Sequence, residues 1–169
     1  MGKIQIPAID AGIKRLLALP PVTQIGMVVQ DIDKAIQYYS QWFGVGPWEV
    51  VTPEISNQTY RGQAANFRLQ FAFADHGDLQ WELIKVLEGR TIYEDDLGKN
   101  GEGLHHVRCR VDNLDERIEA AKKVGIEVIQ SGVIQIGQRG DVKAKFVYLD
   151  TRFIAGLTLE LSQRFYEEV

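Results

Sequence analysis

The sequence predicts an α+β fold in which two tandem βαβββ modules form a cupped mixed sheet with helices on its outer face. The first observation behind this prediction is an internal repeat: the strand, turn and helix pattern that begins at Gln24 returns from His106. The second is constant spacing, because Ile118 follows Ile36 by the same 82 residues that separate the two strand starts. A repeat at fixed spacing indicates two copies of one structural unit, independently of residue propensities.

Turn residues and changes of pattern set the predicted boundaries of these units. In the N-terminal segment, a short amphipathic helix over 11–19 ends before Pro20, because a proline ring cannot continue a helix. The chain is then divided into an N-terminal arm over 1–21, module 1 over 22–87, a charged connector over 88–102, module 2 over 103–163 and a C-terminal tail over 164–169.

Module 1 begins with a strand over 23–29, in which the side chains alternate between two faces. Asp31 or Asp33 is placed to cap the helix over 32–43, whose apolar residues return at helical spacing, and Gly44 ends that helix. The rest of the module is predicted as strands over 48–52, 67–74 and 79–86, a polar loop over 53–63 and a hairpin turn over 75–78.

Module 2 repeats this order of elements. Its first strand and helix are predicted over 106–111 and 114–124, and Gly125 ends the helix. The remaining elements are a short strand over 127–129, a loop over 131–141 and strands over 143–149 and 157–162.

Composition and charge argue against several classes of function. The 169 residues carry a net charge of −4 and have a pI near 5.4, which argues against nucleic-acid binding through phosphate neutralisation. Residues 1–20 contain no long apolar run, so neither a signal peptide nor a membrane span is predicted there. The single cysteine, Cys109, excludes an intrachain disulfide and favours a reducing compartment. We therefore expect a cytoplasmic protein with no membrane or nucleic-acid partner.

Two acids lie in apolar strands at corresponding places in the two modules, Glu82 in the first and Glu160 in the second. A carboxylate on the inner face of a sheet is costly unless it is paired or binds a metal. Taken singly, each acid could instead face solvent, and His106 could be an ordinary hydrogen-bonded histidine. Because Gln24 and His106 also correspond, the four together predict a divalent metal site with positions left open for substrate.

Further polar side chains are candidates for substrate binding. Arg108 and Arg110 share the strand face of His106, where one of them could hold a carboxylate or phosphate through a bidentate pair. An equally good interpretation is that both arginines neutralise nearby acids. Gln70 is a third candidate, because it lies on the polar face of the strand over 67–74.

Three sequence runs resemble the vicinal oxygen chelate superfamily, which includes glyoxalase I, methylmalonyl-CoA epimerase, extradiol dioxygenases and bleomycin- or fosfomycin-resistance proteins. They are Gln-Ile-Gly-Met-Val-Val-Gln-Asp-Ile-Asp from residue 24, Gly-Leu-His-His-Val from residue 103 and Leu-Thr-Leu-Glu-Leu from residue 157. The resemblance covers residues 22 to 163. It implies that Gln24, Glu82, His106 and Glu160 bind a divalent ion (Co, Ni, Zn, Mn or Mg), with His105 as a flanking residue.

The resemblance also implies a reaction. The Gly-Leu-His-His run is similar to methylmalonyl-CoA epimerase, so we expect a metal-dependent isomerase, epimerase or racemase that acts next to a carbonyl through a metal-stabilised enolate. The strand over 67–74 offers no acid on its polar face, so Glu160, and secondarily Glu82, are expected to be the catalytic bases. The substrate would be a small molecule such as an acyl-CoA or a thiol conjugate, and relatives of this kind predict a homodimer.

Two alternatives remain open at this point. Gln24 stands where most epimerase relatives carry histidine, and the order Gln, Glu, His, Glu resembles some glyoxalase I enzymes, so a lactoylglutathione lyase is the first alternative. The second is a resistance protein that sequesters its ligand without a metal. Ligand-type residues at the corresponding positions of both modules argue against this second alternative.

Overall fold

A computed structural model of the chain describes residues 8–136 and 142–166. Within these residues, four helices accompany ten strands that are hydrogen-bonded into a single curled mixed sheet, so the predicted α+β fold is confirmed. The parts of the predicted arm over 1–7, loop over 137–141 and tail over 167–169 lie outside the described residues.

The elements are numbered in chain order. The helices are α1 Ala11–Leu17, α2 Ile32–Phe43, α3 Ile92–Asn100 and α4 Leu114–Lys123. The strands are β1 Val22–Val28, β2 Glu49–Val51, β3 Ile55–Tyr60, β4 Gln63–Ala64, β5 Arg68–His76, β6 Leu79–Glu88, β7 Gly103–Arg110, β8 Val128–Ile136, β9 Val142–Leu149 and β10 Thr158–Tyr166.

The sheet has an internal two-fold relation at its centre. Its strand order is β2-β5-β6-β1-β7-β10-β9-β8-β3-β4, with β1 and β7 antiparallel in the middle. Each of these is flanked by a parallel strand, β6 beside β1 and β10 beside β7. Gly26 faces His106 across the central pair, and Gln24 faces Arg108. These two pairings are images of each other under the repeat, so the fourth strands β6 and β10 stand in equivalent places beside the centre.

Helix α2 forms as its end signals predict and packs on the outer face of the first half. The Asp31 side chain accepts a hydrogen bond from the Lys34 backbone N–H at 3.0 Å, and Gly44 ends the helix with a positive φ of 67°. Ile32 at its start is buried in a cluster with Met27 and Leu83 of the sheet. In the second half, α4 covers the sheet in the same way, through a cluster that includes Leu114, Ala121, Cys109 and Leu161.

Helix α3 departs from the predicted arrangement, because it lies in the predicted connector and packs against the inner side of the curved sheet. Its residues Ile92 and Tyr93 are buried in a cluster with Phe71 of the first half and Tyr148 of the second. The Thr91 hydroxyl caps it by accepting a hydrogen bond from the Glu94 backbone N–H at 3.2 Å. The spacing Thr-x-x-Glu is a known signal for a helix start, so this helix was visible in the sequence.

The polar segment predicted as a loop over 53–63 is a strand, and so is the start of the loop predicted over 131–141. Strand β3 leaves the first half of the chain and pairs antiparallel with β8 of the second half. A hydrogen bond of 2.7 Å joins the Thr59 and Ser131 hydroxyls across this pair. Both predictions were wrong because the backbone partners of these strands lie in the other half of the chain, which local sequence does not reveal.

The described helices are short. The first, α1, is capped by Asp10 and lies against α4, where Arg117 donates a hydrogen bond of 2.8 Å to the Ala18 carbonyl. Among the described residues, none of the helices has the length and apolar character needed to cross a membrane.

Replacing Leu83 should destabilise the fold far more than replacing another leucine of the same strand. Leu83 is fully buried beneath α2, whereas Leu87 is 37% exposed. We expect Leu83→Ala to lower the free energy of unfolding by about 2–5 kcal/mol because it leaves a cavity in the core. Leu87→Ala should cost less than about 1 kcal/mol. Urea unfolding followed by circular dichroism measures both, and equal losses would contradict the difference in burial between Leu83 and Leu87.

Candidate metal centre

Three ionisable side chains meet on the inner face of the sheet. Glu82 on β6, His106 on β7 and Glu160 on β10 are all buried, and one potential ligand atom of each lies within 4.8 Å of the others. Nε2 of His106 is 2.9 Å from Oε2 of Glu160 and 3.2 Å from Oε2 of Glu82. The structure therefore brings together three of the four residues predicted as metal ligands.

The buried atoms of this cluster that lack hydrogen-bond partners indicate a site for a cation. Nε2 of His106 and Oε2 of Glu82 are buried, and although they lie within contact distance of each other, neither makes a well-aligned hydrogen bond with a described residue. A buried polar atom without a partner is costly, and a buried pair of carboxylates more so. A divalent ion would satisfy these atoms and balance the two negative charges. The imidazole and carboxylate donors therefore fit such an ion.

Gln24, the fourth predicted ligand, is fully buried in the equivalent position of β1. Its Nε2 donates a hydrogen bond of 2.9 Å to Oε1 of Gln80, which fixes the orientation of the amide. Its Oε1 atom makes no hydrogen bond with any described residue. An amide oxygen held in one orientation and left without a donor is suited to binding a metal ion.

The position of the His106 ring depends on the absence of a side chain at Gly26. A Cβ atom built on Gly26 would lie 2.0 Å from Cε1 of His106, far inside contact distance. The two residues face each other across β1 and β7, so the imidazole lies over bare backbone. A glycine at this point of the strand therefore serves close packing of the imidazole against the chain.

Two buried tyrosines extend the cluster. The Tyr148 hydroxyl donates a hydrogen bond to Oε2 of Glu160 at 3.4 Å, and the Tyr93 hydroxyl donates one to Tyr148 at 2.7 Å. Burial raises the pKa of both phenols above their usual value, so both remain protonated and can donate. This chain links the carboxylate on β10 to helix α3.

His105, predicted to be a flanking residue, is buried as well. Its Nδ1 lies 3.1 Å from Nδ1 of His106, and its Nε2 lies 3.4 Å from a carboxylate oxygen of Asp96 on α3. Burial, together with the charges of His106 and Arg152, lowers the pKa of His105 well below its usual value. His105 is therefore a neutral neighbour of the cluster.

The three ionisable groups affect one another's pKa values, which are raised for Glu82 and His106 and lowered for Glu160. Burial raises the pKa of Glu82, and the nearby His106 offsets this only in part. Burial acts in the same sense on Glu160, but the closer contact with His106 outweighs it and lowers the pKa. Burial alone would lower the pKa of His106, yet the two carboxylates raise it to about 9. A cation that binds here must therefore displace a proton from His106.

A cavity of about 620 Å³ opens above the cluster, with Glu82 and Glu160 in its wall. The predicted substrate-binding residues Arg108 and Arg110 both line it, together with a third arginine, Arg164 of β10. Its apolar wall comes from both halves of the sheet and includes Phe71, Phe73, Ile134, Phe146 and Tyr148.

Gln70 lies on the other face of the sheet from the cavity, which corrects its prediction as a substrate-binding residue. In the β5–β6 pair, Phe73 stands opposite Glu82, while Gln70 stands opposite Lys85. Directly opposed residues of antiparallel strands share a face, and neighbouring residues alternate. The polar face of β5 is thus the outer one, and the phenylalanine face lines the cavity.

The three arginines differ in their partners. Arg108 donates a hydrogen bond of 3.2 Å to Oε1 of Gln80, while its buried Nε has no hydrogen-bond partner among the described residues. Arg110 and Arg164 lie on the exposed part of the wall, with no hydrogen bond or ion pair to another described residue. Partial burial lowers the pKa of Arg110, and the charges of Arg108 and Arg164 add to this effect. The cavity therefore offers guanidinium groups whose hydrogen-bond donors are free to meet a ligand, beside the carboxylates of Glu82 and Glu160.

The fold and this site define a protein with a cupped sheet built around a candidate metal centre. The chain belongs to the Glyoxalase/Bleomycin resistance protein/Dioxygenase superfamily, whose family profile matches residues 23–146. The resemblance seen in the three sequence runs is thus confirmed.

Individual relatives are distant. The uncharacterized protein YqjC of Bacillus subtilis is 24% identical over 139 residues, which cover 82% of this chain and 89% of the relative. A hypothetical protein from Bacillus halodurans has a similar structure, with a TM-score of 0.59, 22% identity and coverage of 88% of this chain and 97% of that chain. Methylmalonyl-CoA epimerase from Mycobacterium tuberculosis matches with a TM-score of 0.57, 20% identity and coverage of 86% and 88%, respectively.

A further similar structure contains a ligand. It is a variant of Streptomyces coelicolor methylmalonyl-CoA epimerase in complex with 2-nitronate-propionyl-CoA, with a TM-score of 0.57, 21% identity and coverage of 86% of this chain and 98% of that chain. At such identities these structures show the shared fold.

Sequence reasoning missed the residues that surround the metal centre. Tyr148 lies opposite Glu160 in the β9–β10 pair, and Arg164 lies four residues after Glu160 on β10, so both share its face of the sheet. Strand alternation could therefore have indicated that both line the cavity. Asp96 had no such signal, because it reaches His105 only through the packing of α3 against the sheet.

Gly26→Ala should damage the metal centre with the fold retained. The backbone of Gly26 does not need a positive φ, so the added methyl group acts by displacing the His106 ring. We expect at least a tenfold loss of Zn²⁺ affinity in isothermal titration calorimetry. Gly98→Ala is the matched control, because nothing lies within 4 Å of a Cβ at that position. Wild-type affinity in Gly26→Ala would show that His106 does not bind the ion.

Proposed function

We propose that the protein is a metal-dependent isomerase of the vicinal oxygen chelate type, an epimerase or racemase acting on a carbon next to a carbonyl. The observation that carries this proposal is the placement of two buried carboxylates, Glu82 and Glu160, on either side of His106 in the wall of one cavity. A site with two carboxylates can remove a proton from one face of a carbon and return one to the other.

Gln24, Glu82, His106 and Glu160 would hold a divalent ion, for which Co, Ni, Zn, Mn and Mg are the candidates. Their unsatisfied buried atoms and the charge of the two carboxylates support this assignment. When bound, such an ion supplies positive charge beside two neighbouring substrate oxygens and makes the adjacent carbon more acidic.

Glu160 is the proposed base. It faces the cavity and is paired in the sheet register with Arg108, whose charge favours the ionised carboxylate. The Tyr148 hydroxyl contacts Oε2 of Glu160 and so helps to hold the carboxylate in place. Glu82 lies on β6, separated from β10 by the two central strands, and is the proposed second proton-transfer group.

The arginines are proposed to hold an anionic part of the substrate. Arg108 lies two residues from His106 along β7, and Arg110 lies four residues away, which corresponds to about 7 Å and about 13 Å of strand. Arg164 lies four residues from Glu160 on β10, the same separation as that between His106 and Arg110 on β7. An acidic group at this distance from the reacting carbon would be held by charge-assisted hydrogen bonds in bidentate geometry.

An acyl-CoA with a carbonyl next to the reacting carbon is the substrate class that we favour. Similar structures bear the name methylmalonyl-CoA epimerase, and one of them binds an acyl-CoA analogue. The three arginines in the wall of the cavity accord with an acidic substrate of this kind. A homodimer and a cytoplasmic location remain predictions, and sedimentation analysis of the purified protein tests the first.

A lactoylglutathione lyase is the alternative within the same chemistry. It is favoured by one observation, the amide of Gln24 at the position equivalent to His106. Hydrogen exchange at the α-carbon of an acyl-CoA in heavy water, compared with turnover of the glutathione hemithioacetal of methylglyoxal, separates the two. A third possibility, ligand sequestration without a metal, accounts poorly for the unsatisfied atoms of His106 and Glu82.

Glu160→Gln should abolish proton transfer and leave metal binding in place. An amide already occupies a ligand position at Gln24, so a second amide keeps a donor oxygen but loses the basic carboxylate. We expect solvent exchange into candidate acyl-CoA or 2-oxo substrates, measured with Co or Ni added, to fall by about 10²–10⁴-fold. Elemental analysis should still find the metal in the variant.

Glu88→Gln is the matched control for this experiment. Glu88 lies at the end of β6 in an exposed ion pair with Arg68, outside the cavity, so its loss should not affect exchange. Exchange by Glu160→Gln at the wild-type rate would rule out Glu160 as the base.

Arg110→Gln and Arg164→Gln should weaken substrate binding with little change in kcat. Each removes a charged donor that meets the substrate equally in the ground and transition states, which raises KM. One charge-assisted hydrogen bond contributes about 1.5–3 kcal/mol, so KM should rise about 10–100-fold. Arg68→Gln removes an arginine outside the cavity and should leave KM unchanged. Equal KM values in all three variants would refute the anion site.

A further inference from the structure

Two consecutive residues of one strand, His105 and His106, are both buried and in contact, although strand neighbours normally point to opposite faces. The sheet register explains how this occurs. Gly26 faces His106, but the next residue, Met27, faces Leu104, so His105 is an extra residue in β7, as in a β-bulge. A bulge re-aims side chains locally and is common beside active sites.

The bulge sets Nδ1 of His105 opposite Nδ1 of His106 at 3.1 Å. Two ring nitrogens at this distance share one proton: two protons would repel each other, and two lone pairs would leave both atoms unsatisfied. A metal ion between Glu82 and Glu160 would need a lone pair on Nε2 of His106, and the single proton of the neutral ring must then be on Nδ1. His105 must then accept this proton's hydrogen bond through its own Nδ1.

Asp96 favours this arrangement from the other side of His105. If Nδ1 of His105 accepts a hydrogen bond, the proton of the neutral His105 ring is on its Nε2 atom. This Nε2 atom is buried and has no hydrogen-bond partner among the described residues. The carboxylate of Asp96 lies 3.4 Å from that nitrogen, and its negative charge attracts a proton there. Asp96 is itself held by Arg152, with Nη1 3.5 Å from Oδ1.

We propose that Asp96 and His105 are positioning residues that fix His106 in the tautomer with its proton on Nδ1, so that Nε2 offers a lone pair to a metal ion. The proposal rests on the proposed function for the lone pair on Nε2 of His106, and on the contacts of His105 with His106 and Asp96 for the tautomer of His105. Through this contact, the placement of α3 affects how well the site binds metal. The buried ring of Tyr93 on the same helix packs against the imidazole of His105, with 4.8 Å between the ring centroids.

The tautomers can be read directly by NMR of the ¹⁵N-histidine-labelled protein. The chain has only 3 histidines, and the third, His76, lies at the exposed end of β5, so long-range ¹H–¹⁵N correlations assign each ring without ambiguity. We expect His105 to carry its proton on Nε2 with and without Zn²⁺, and His106 of the Zn²⁺-bound protein to carry its proton on Nδ1. A proton on Nδ1 of His105 would overturn the proposal.

Substitutions at both positions test the effect on the ion. Asp96→Asn and His105→Leu should each lower Zn²⁺ affinity by about 10–100-fold, measured by competition with a chelator. His105→Asn should retain affinity within about threefold, because its Oδ1 can accept the His106 proton in place of Nδ1. Rescue by asparagine but not by leucine distinguishes proton acceptance from simple filling of space. Equal affinity in all three variants and wild type would also overturn the proposal.

Asp95→Asn is the matched control on the same helix. Asp95 pairs with Arg61 and Tyr60 and does not contact His105, so its loss should leave Zn²⁺ affinity unchanged. If the wild-type protein fails to bind Zn²⁺ while His105 carries its proton on Nε2, the metal site of the proposed function fails and the tautomer assignment stands. If Zn²⁺ binds while His105 carries its proton on Nδ1, only the assignment fails.

Discussion

Two carboxylates are buried close to each other beneath the cavity, and the rest of the structure depends on how their charge is balanced. Taking one ionised carboxylate out of water costs several kcal/mol, and placing a second beside it adds repulsion. His106 compensates part of this charge at 2.9 and 3.2 Å, and Arg108 adds to it from the neighbouring strand. The remaining unsatisfied atoms make a divalent ion the simplest partner for the cluster.

The symmetry of the sheet explains why these residues converge. Because β1 and β7 are antiparallel neighbours and each has a parallel strand beside it, equivalent residues of the two halves project toward one region on the inner face. The symmetry is imperfect at the residue level. Gly26 in one half occupies the place of Arg108 in the other, which makes room for an imidazole on one side and supplies a positive charge on the other.

The repeat made much of this predictable from sequence. The spacing that relates Gln24 to His106, and the two acids in apolar strands, predicted the fold and three residues that meet at the centre. What local patterns could not supply was long-range pairing, so β3 was predicted as a loop. Nor could alternation alone decide which face of β5 was the inner one, and Gln70 was therefore placed on the wrong side.

The contact between His105 and Asp96 was not predicted, for a different reason. A regular strand places neighbouring side chains on opposite faces, and the register shift at His105 breaks that rule although neither glycine nor proline occupies that position. Asp96 then reaches His105 through the packing of α3 against the sheet, a long-range contact that the local helix signal at Thr91 does not indicate.

The pairing of β3 with β8 ties the halves of the duplicated chain together. The hairpin β3–β4 belongs by sequence to the first half, yet it completes the outer edge of the sheet in the second. A polypeptide cut between the halves would leave β8 with a bare row of amide and carbonyl groups, an edge prone to self-association. Since each half thus depends on a strand pairing with the other, we expect the two halves to unfold in one cooperative transition.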